Sequence, residues 1–256
     1  MKFQDFTTEL GRLLRPEGFN DFCPNGLLVD PFMDGGHRIA KVATGVSLCD
    51  DLIDAAVSYK ADALIVHHPN GFWKSEKDRR LVGTFGRYMT KLILAGIALY
   101  GYHLPLDAHG ELGNNIGIFN KLTFWGNMQV SRFMEQDIGV IAKCTVGKGE
   151  LSRVFPKGWQ AFGPELETRE YRVGICSGSG TSGLQAAVDL GCDMFITGEV
   201  RESTPIFARE NRITVIAGGH HRSEVFGVRA LAERIKDTAG PFTGCTARFI
   251  DIDNPI

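Results

Sequence analysis

The chain has 256 residues, 43% of them apolar and 23% charged, with a formal net charge of −2. That length suits one large domain or two smaller ones with real cores, and a charge near zero argues against nucleic acid or an anionic membrane surface as a partner. Six cysteines stand singly with no CxxC pair, which speaks against a thiolate zinc site and fits a cytoplasmic protein with reduced thiols.

The opening segment "MKFQDFTTELGRLL" has amphipathic helical spacing, and Asp5 and Glu9 interrupt what would be the apolar core of a signal peptide. No apolar run reaches membrane-spanning length. "AKVATG" at 40–45 reads as a strand. Residues 52–68, "LIDAAVSYKADALIVHH", read as a helix, a turn and a buried strand that ends in His67 and His68. A helix over 81–95, a stop at Gly96 and a strand over 97–101 follow, leading into "GYHLPLD" with His103 and Asp107. The segment 127–168 reads as a small antiparallel excursion, with "VIAKCTVG" a strand and Lys148-Gly149-Glu150 a turn. A strand over 171–177 runs into "GSGTSG", then a helix, turn and strand over 184–199 end at Glu199. A helix over 204–209 and a strand over 213–217 lead into "GGHHRSE", and the terminal "ARFIDIDNPI" alternates like an edge strand returning to a sheet.

Two of these stretches resemble each other. Ala55-Ala56-Val57 falls over Ala186-Ala187-Val188, and Asp62 then falls over Asp193 without a gap. Each is preceded by a strand and followed by a helix and a strand. Each then reaches a histidine with a carboxylate four residues on: His103 with Asp107, and His220 with Glu224. The match predicts a duplicated β-α-β-α-β unit. The expected fold is α/β, with two similar three-layer halves of mostly parallel strands, residues 1–126 and 127–256, and a C-terminal strand returning to the first half.

Open α/β sheets place ligands beyond the carboxyl ends of their strands, where His67, His68, His103, Asp107, His220 and Glu224 all fall. Neighbouring strand residues point to opposite faces and Pro69 ends the pairing, so His67 and His68 should diverge toward two different ions. If a helix starts at His220, that residue and Glu224 share a face. Imidazole with carboxylate suits Zn, Fe, Mn or Ni rather than Ca, and a carboxylate joining two ions is typical of two-metal hydrolytic sites. His221 reads as a neighbour of the ligands or a solvent-facing residue, and His37 and His109 as surface residues. "GSGTSG" has dinucleotide-fingerprint spacing, but the equivalent loop of the first repeat, "GVSLCD", has only Gly45. The loop reads instead as an anion or substrate pocket at Gly178, Ser179 and Gly180, or as a tight turn. Glu199 overlies His68 in the repeat and is a candidate general base or a carboxylate behind a ligand.

The stretches "FCPNGLLVD", "ADALIVHHP", "YGYHLPLDAHGELGNNIGI", "GCDMFITGEV" and "AGGHHRSEVFGVRALAERI" together resemble the YbgI-like dinuclear-metal family, also known as GTP cyclohydrolase I type 2 homologues. The resemblance spans nearly the whole chain, in the short form without an inserted domain. It implies that His67, His68, Asp107, His220 and Glu224 hold two divalent ions (Zn, Fe, Mn or Ni), with Glu224 bridging. It also moves His103 from ligand to catalytic or substrate contact, and it implies a homohexameric toroid, a trimer of dimers. The loop "NGFWKSEKDRR" departs from the apolar continuation usual in relatives. The expected function is a metal-dependent hydrolase of a nucleotide-like or phosphate-bearing small molecule, with His103 or Glu199 moving the proton. The alternative is a non-catalytic metal-binding scaffold or metal-handling protein.

Overall fold

Two β-sheets with helices on both sides organise the chain in the computed structural model, which describes residues 1–32, 36–73, 80–122 and 130–256. The chain divides into two units, Met1–Leu106 with Gly227–Asp253 and Asp107–Phe226 with Asn254–Ile256. The expected boundary at 126/127 falls outside the described residues, as do residues 74–79 of the "NGFWKSEKDRR" loop and 127–129 of the excursion.

In the first unit, α1 (Phe3–Leu14) buries Phe3, Phe6, Leu10 and Leu14 along one face, as its amphipathic spacing requires. The elements β1 (Gly26–Val29), β2 (Lys41–Ser47), α2 (Asp50–Tyr59), β3 (Ala63–His68), α3 (Gly83–Ala95) and β4 (Ala98–Gly101) follow. Strands β2, β3 and β4 are parallel neighbours, with β1 antiparallel beyond β4. Leu64 and Val66 join one apolar cluster with Ile53, Leu92 and Leu99, while Ala63 and Ile65 are equally buried. Both faces of β3 are therefore covered, which is why its sequence shows no polar alternation. Gly96 ends α3 in the left-handed region at φ 64°.

A short α4 (Leu104–Asp107) carries the chain into the second unit. This unit begins with α5 (Asn114–Leu122), whose Ile116, Ile118, Phe119 and Leu122 pack with Val140, Val173 and Ile196. The strands β5 (Ser131–Phe133) and β6 (Gly139–Val146), the helix α6 (Lys148–Val154), and β7 (Gln160–Phe162) precede β8 (Arg169–Cys176). The core repeats the parallel pattern: β8, α7 (Leu184–Asp189), β9 (Met194–Thr197), α8 (Thr204–Glu210) and β10 (Thr214–Ala217). The helix α9 (His220–Lys236) and β11 (Thr246–Phe249) complete the chain. As expected, β11 returns to the first unit and pairs with β2 at the sheet edge.

Two expectations need correction here. The second sheet is mixed rather than mostly parallel: β5–β6, β6–β8 and β7–β10 are antiparallel. The excursion joins the main sheet because Val140, Ala142, Cys144 and Val146 present an apolar face that pairing with β8 buries. Lys148-Gly149-Glu150 is the first turn of α6 rather than a turn between strands, since Leu151 and Val154 are buried one helical turn apart. The aligned aspartates do the same work in each unit: Asp62 accepts the N–H groups of Ala40 and Lys41 at the start of β2, and Asp193 accepts that of Arg172 in β8.

Candidate metal centre

In the first unit, three imidazoles gather at the ends of β3 and β4. The fully buried His67 has Nδ1 2.9 Å from the carbonyl oxygen of Tyr102. A carbonyl only accepts, so Nδ1 carries the proton and the ring's lone pair lies on Nε2. His68 Nδ1 lies 3.0 Å from Ser47 Oγ. His103 Nδ1 lies 3.0 and 3.1 Å from the two carboxylate oxygens of Asp21. The three histidines each offer a ligand nitrogen within 4.8 Å of the others. Their ring centroids are 4.6 Å (His67–His68), 5.1 Å (His67–His103) and 5.8 Å (His68–His103) apart. The expected divergence of His67 and His68 is therefore not seen. The β3 pairing ends at His68, and each ring is turned by its own Nδ1 hydrogen bond instead of by the alternation of the sheet.

Asp21 was not anticipated. Its side chain is 1% exposed and accepts from His103 Nδ1, the amides of Cys23 and Leu104, and Asn25 Nδ2. Burial alone would raise its pKa, but the hydrogen bond and charge of His103, followed by the other donors, hold the carboxyl well below the usual range. Asn25 Oδ1 in turn accepts the backbone N–H of His103. The only sequence signal was an Asp with a turn-forming pattern directly before "FCPN", whose side chain accepts the N–H two residues on.

In the second unit, α9 begins at His220, which meets the condition for a shared face with Glu224, and His220 Nε2 lies 3.1 Å from Glu224 Oε2. Glu199, just past β9, takes His220 Nδ1 on Oε1 at 2.7 Å and the Ser179 hydroxyl on Oε2 at 2.8 Å. Burial of the His220 ring opposes its protonation. The hydrogen bond and charge of Glu224, and then those of Glu199, outweigh it and push the pKa up to about 9. Buried Asp107 accepts from Asn114 Nδ2 at 2.8 Å and from Ser177 Oγ at 3.3 Å on the same oxygen. Asp107 and Glu224 each offer an oxygen within 4.8 Å of the other. A cation between two buried carboxylates this close would offset their mutual repulsion. The neighbouring Cys176 thiol registers this field: burial first, then the charges of Asp107 and Glu224, push its pKa up.

The "GSGTSG" loop packs against these side chains. Gly178 sits at φ +58°, and a Cβ there would collide with Glu224 Oε1. Its amide is taken by Ser223 Oγ and the Ser179 hydroxyl by Glu199. Gly180 opens a short 3-10 turn against Cys176. The Gly178 amide and the Ser179 hydroxyl are thus engaged within this unit, beside the carboxylates of Glu199 and Glu224. His221 is buried rather than solvent-facing. His37 stacks on Phe32, and His109 Nδ1 accepts the amides of Glu111 and Leu112, both ordinary structural roles.

All four imidazoles near candidate ligands have Nδ1 within hydrogen-bonding distance of an oxygen of their own unit. That is how metal-binding histidines are generally oriented. The chain therefore carries buried His, Asp and Glu groups that can hold metal. Among the described residues, no helix is long and apolar enough to cross a membrane.

The family model for Duf34/NIF3 (NGG1p interacting factor 3) matches residues 1–255. The chain is 38% identical over 255 residues to a Haemophilus influenzae protein called GTP cyclohydrolase 1 type 2 homolog, covering 96% of each chain. Among solved structures, the protein ybgI, described as of unknown function, superposes with a TM-score of 0.85 at 35% identity over the whole of both chains. TTHA1606 from Thermus thermophilus does so with a TM-score of 0.84 at 28% identity, again over the whole of both chains. With its full length matched by the family model and by a relative of this identity, the chain belongs to the Duf34/NIF3 family.

Proposed function

We propose that this protein is a dinuclear metal-dependent hydrolase of a nucleotide-like, phosphate-bearing small molecule. His67, His68, Asp107, His220 and Glu224 would hold two divalent ions. The observation that carries this reading is that every candidate imidazole has Nδ1 beside an oxygen of its own unit, and that in His67 the Tyr102 carbonyl fixes the proton on Nδ1 and leaves the lone pair on Nε2. The buried pair Asp107 and Glu224 supports it, because its negative charge calls for a cation. Divalent ions supply Lewis acidity and make water acidic enough to be a nucleophile at neutral pH. Asp21 holds a proton on His103 Nδ1, so His103 Nε2 is the atom that takes up and returns the reaction's proton. Glu199 fixes the tautomer of His220 through Nδ1. The name GTP cyclohydrolase 1 type 2 homolog, borne by relatives, supports a nucleotide-like substrate. A cytoplasmic homo-oligomer, hexameric by resemblance, belongs to the same proposal and is tested by light scattering on the purified protein.

The decisive experiment pairs elemental analysis with a hydrolysis screen over nucleotides and phosphoesters, comparing wild type with Glu224→Ala. The proposal expects about two ions per chain and turnover in wild type, with both lost in the variant and the fold retained. Equal activity in both overturns the hydrolase. Bound metal without turnover of any compound leaves the non-catalytic scaffold.

A further inference from the structure

Beside the imidazole cluster of the first unit lies an aromatic pair that the proposed chemistry does not use. The rings of Phe22 and Trp73 meet at a tilt, with centroids 5.2 Å apart and planes 31° apart. Phe22 meets the edge of His103 at 5.0 Å, and Trp73 lies 5.9 Å from His68 and 5.7 Å from His103. Phe22 is nevertheless 57% exposed, between Asp21 and Cys23, which are both buried. The backbone on either side is fixed, because Asp21 accepts the Cys23 amide, His103 Nδ1 and the Leu104 amide. The ring is thus held rigidly at the rim of the cluster with more than half of the residue in water. Exposing a phenyl ring costs hydrophobic free energy, and a small polar residue would satisfy the same loop.

We infer that Phe22, backed by Trp73, is a stacking platform for the flat ring of a purine nucleoside, which it presents to the imidazoles of His68 and His103. This rests on the proposed nucleotide-like substrate and names the part of it that is recognised. A planar π-system can lie on the open face of Phe22 without needing hydrogen-bond partners. A fused two-ring base covers the open phenyl face better than a single ring. A bare phosphate gains nothing there.

The test is calorimetric titration of the metal-loaded full-length protein with guanosine, adenosine and inorganic tripolyphosphate. Wild type is expected to bind both nucleosides. Phe22→Leu, which keeps an apolar shield over the Asp21–His103 bond but removes the flat face, should weaken nucleoside binding about tenfold, as should Trp73→Ala. Trp73→Phe should restore most of the affinity, and tripolyphosphate binding and metal content should not change in any variant. Absence of nucleoside binding in wild type, or equal nucleoside affinity in wild type and Phe22→Leu, overturns the inference. Metal loss in Phe22→Leu also overturns it, because it assigns the ring a purely structural role. Nucleoside binding that depends on Phe22, in a protein that hydrolyses nothing, leaves the platform standing and removes only the hydrolase.

Discussion

The two units solve the same placement problem with different charge. Each has three parallel strands linked by helices and sets its polar side chains where those strands end. The first unit offers three imidazoles, propped by a backbone carbonyl, a hydroxyl and one buried aspartate. The second offers two buried carboxylates with one imidazole, which it keeps protonated through Glu224 and Glu199 when no metal is present. A metal would complete the first set and relieve the second.

The largest effect that could break this contrast comes from Asp107→Asn. It keeps the oxygen that Asn114 and Ser177 bind but removes one of the two opposed charges. Metal affinity should fall by more than about a hundredfold, beyond what loss of a supporting residue causes. In chelator, however, the melting temperature should hold or rise. A fall in chelator would show that the carboxylate pair is not repulsive.

Asp21→Asn is the matching change in the first unit. It removes the charge that orients His103, the proposed proton carrier, without altering the shape of the loop, so turnover should drop about 10- to 100-fold while metal affinity measured by chelator competition holds. Unchanged turnover would take His103 out of the proton path.

Gly178→Ala probes how tightly the second set is packed. The left-handed backbone alone should cost about 1–2 kcal/mol in urea denaturation, and the new methyl would press on the Glu224 carboxylate. Stability equal to wild type would mean that the loop yields easily and does not fix Glu224.

The smallest effect lies away from both donor sets, on α2 and α3, where Asp50 pairs with Arg87 and Lys91. The Arg87 hydrogen bond, then that of Lys91, lowers the Asp50 pKa to about 2. A depressed carboxylate pKa stabilises above the unfolded value near 4, and the contribution is lost as pH falls toward 2. Acid unfolding of Asp50→Asn should be correspondingly less steep over that window. The difference should be small because the pair is exposed and screened by solvent. A large difference would mean that charge on the surface, and not only at the donor sets, governs this fold.

Much of the fold was legible because burial writes a local pattern. "ALIV" and "MFIT" are continuous apolar runs since both faces of β3 and β9 are covered: Met194 and Ile196 enter one cluster and Phe195 another. The spacing of His220 and Glu224 was legible because a helix turns every 3.6 residues. Lys148-Gly149-Glu150 was misread because glycine and charge look like a turn until Leu151 and Val154 find a core. The antiparallel β6 was placed aside because strand direction leaves no mark in composition.

What the amino-acid order determined by itself is the set of elements and the donor residues at their ends, because helix and strand periods and strand-end placement act over a few residues. What only the tertiary structure decided is how those donors are aimed and charged. Asp21 reaches His103 across 82 positions of sequence, Gly178 makes room for Glu224, and His67 and His68 close together where alternation predicted divergence. Orientation and pKa depend on hydrogen bonds and burial between distant segments, and no local period records those.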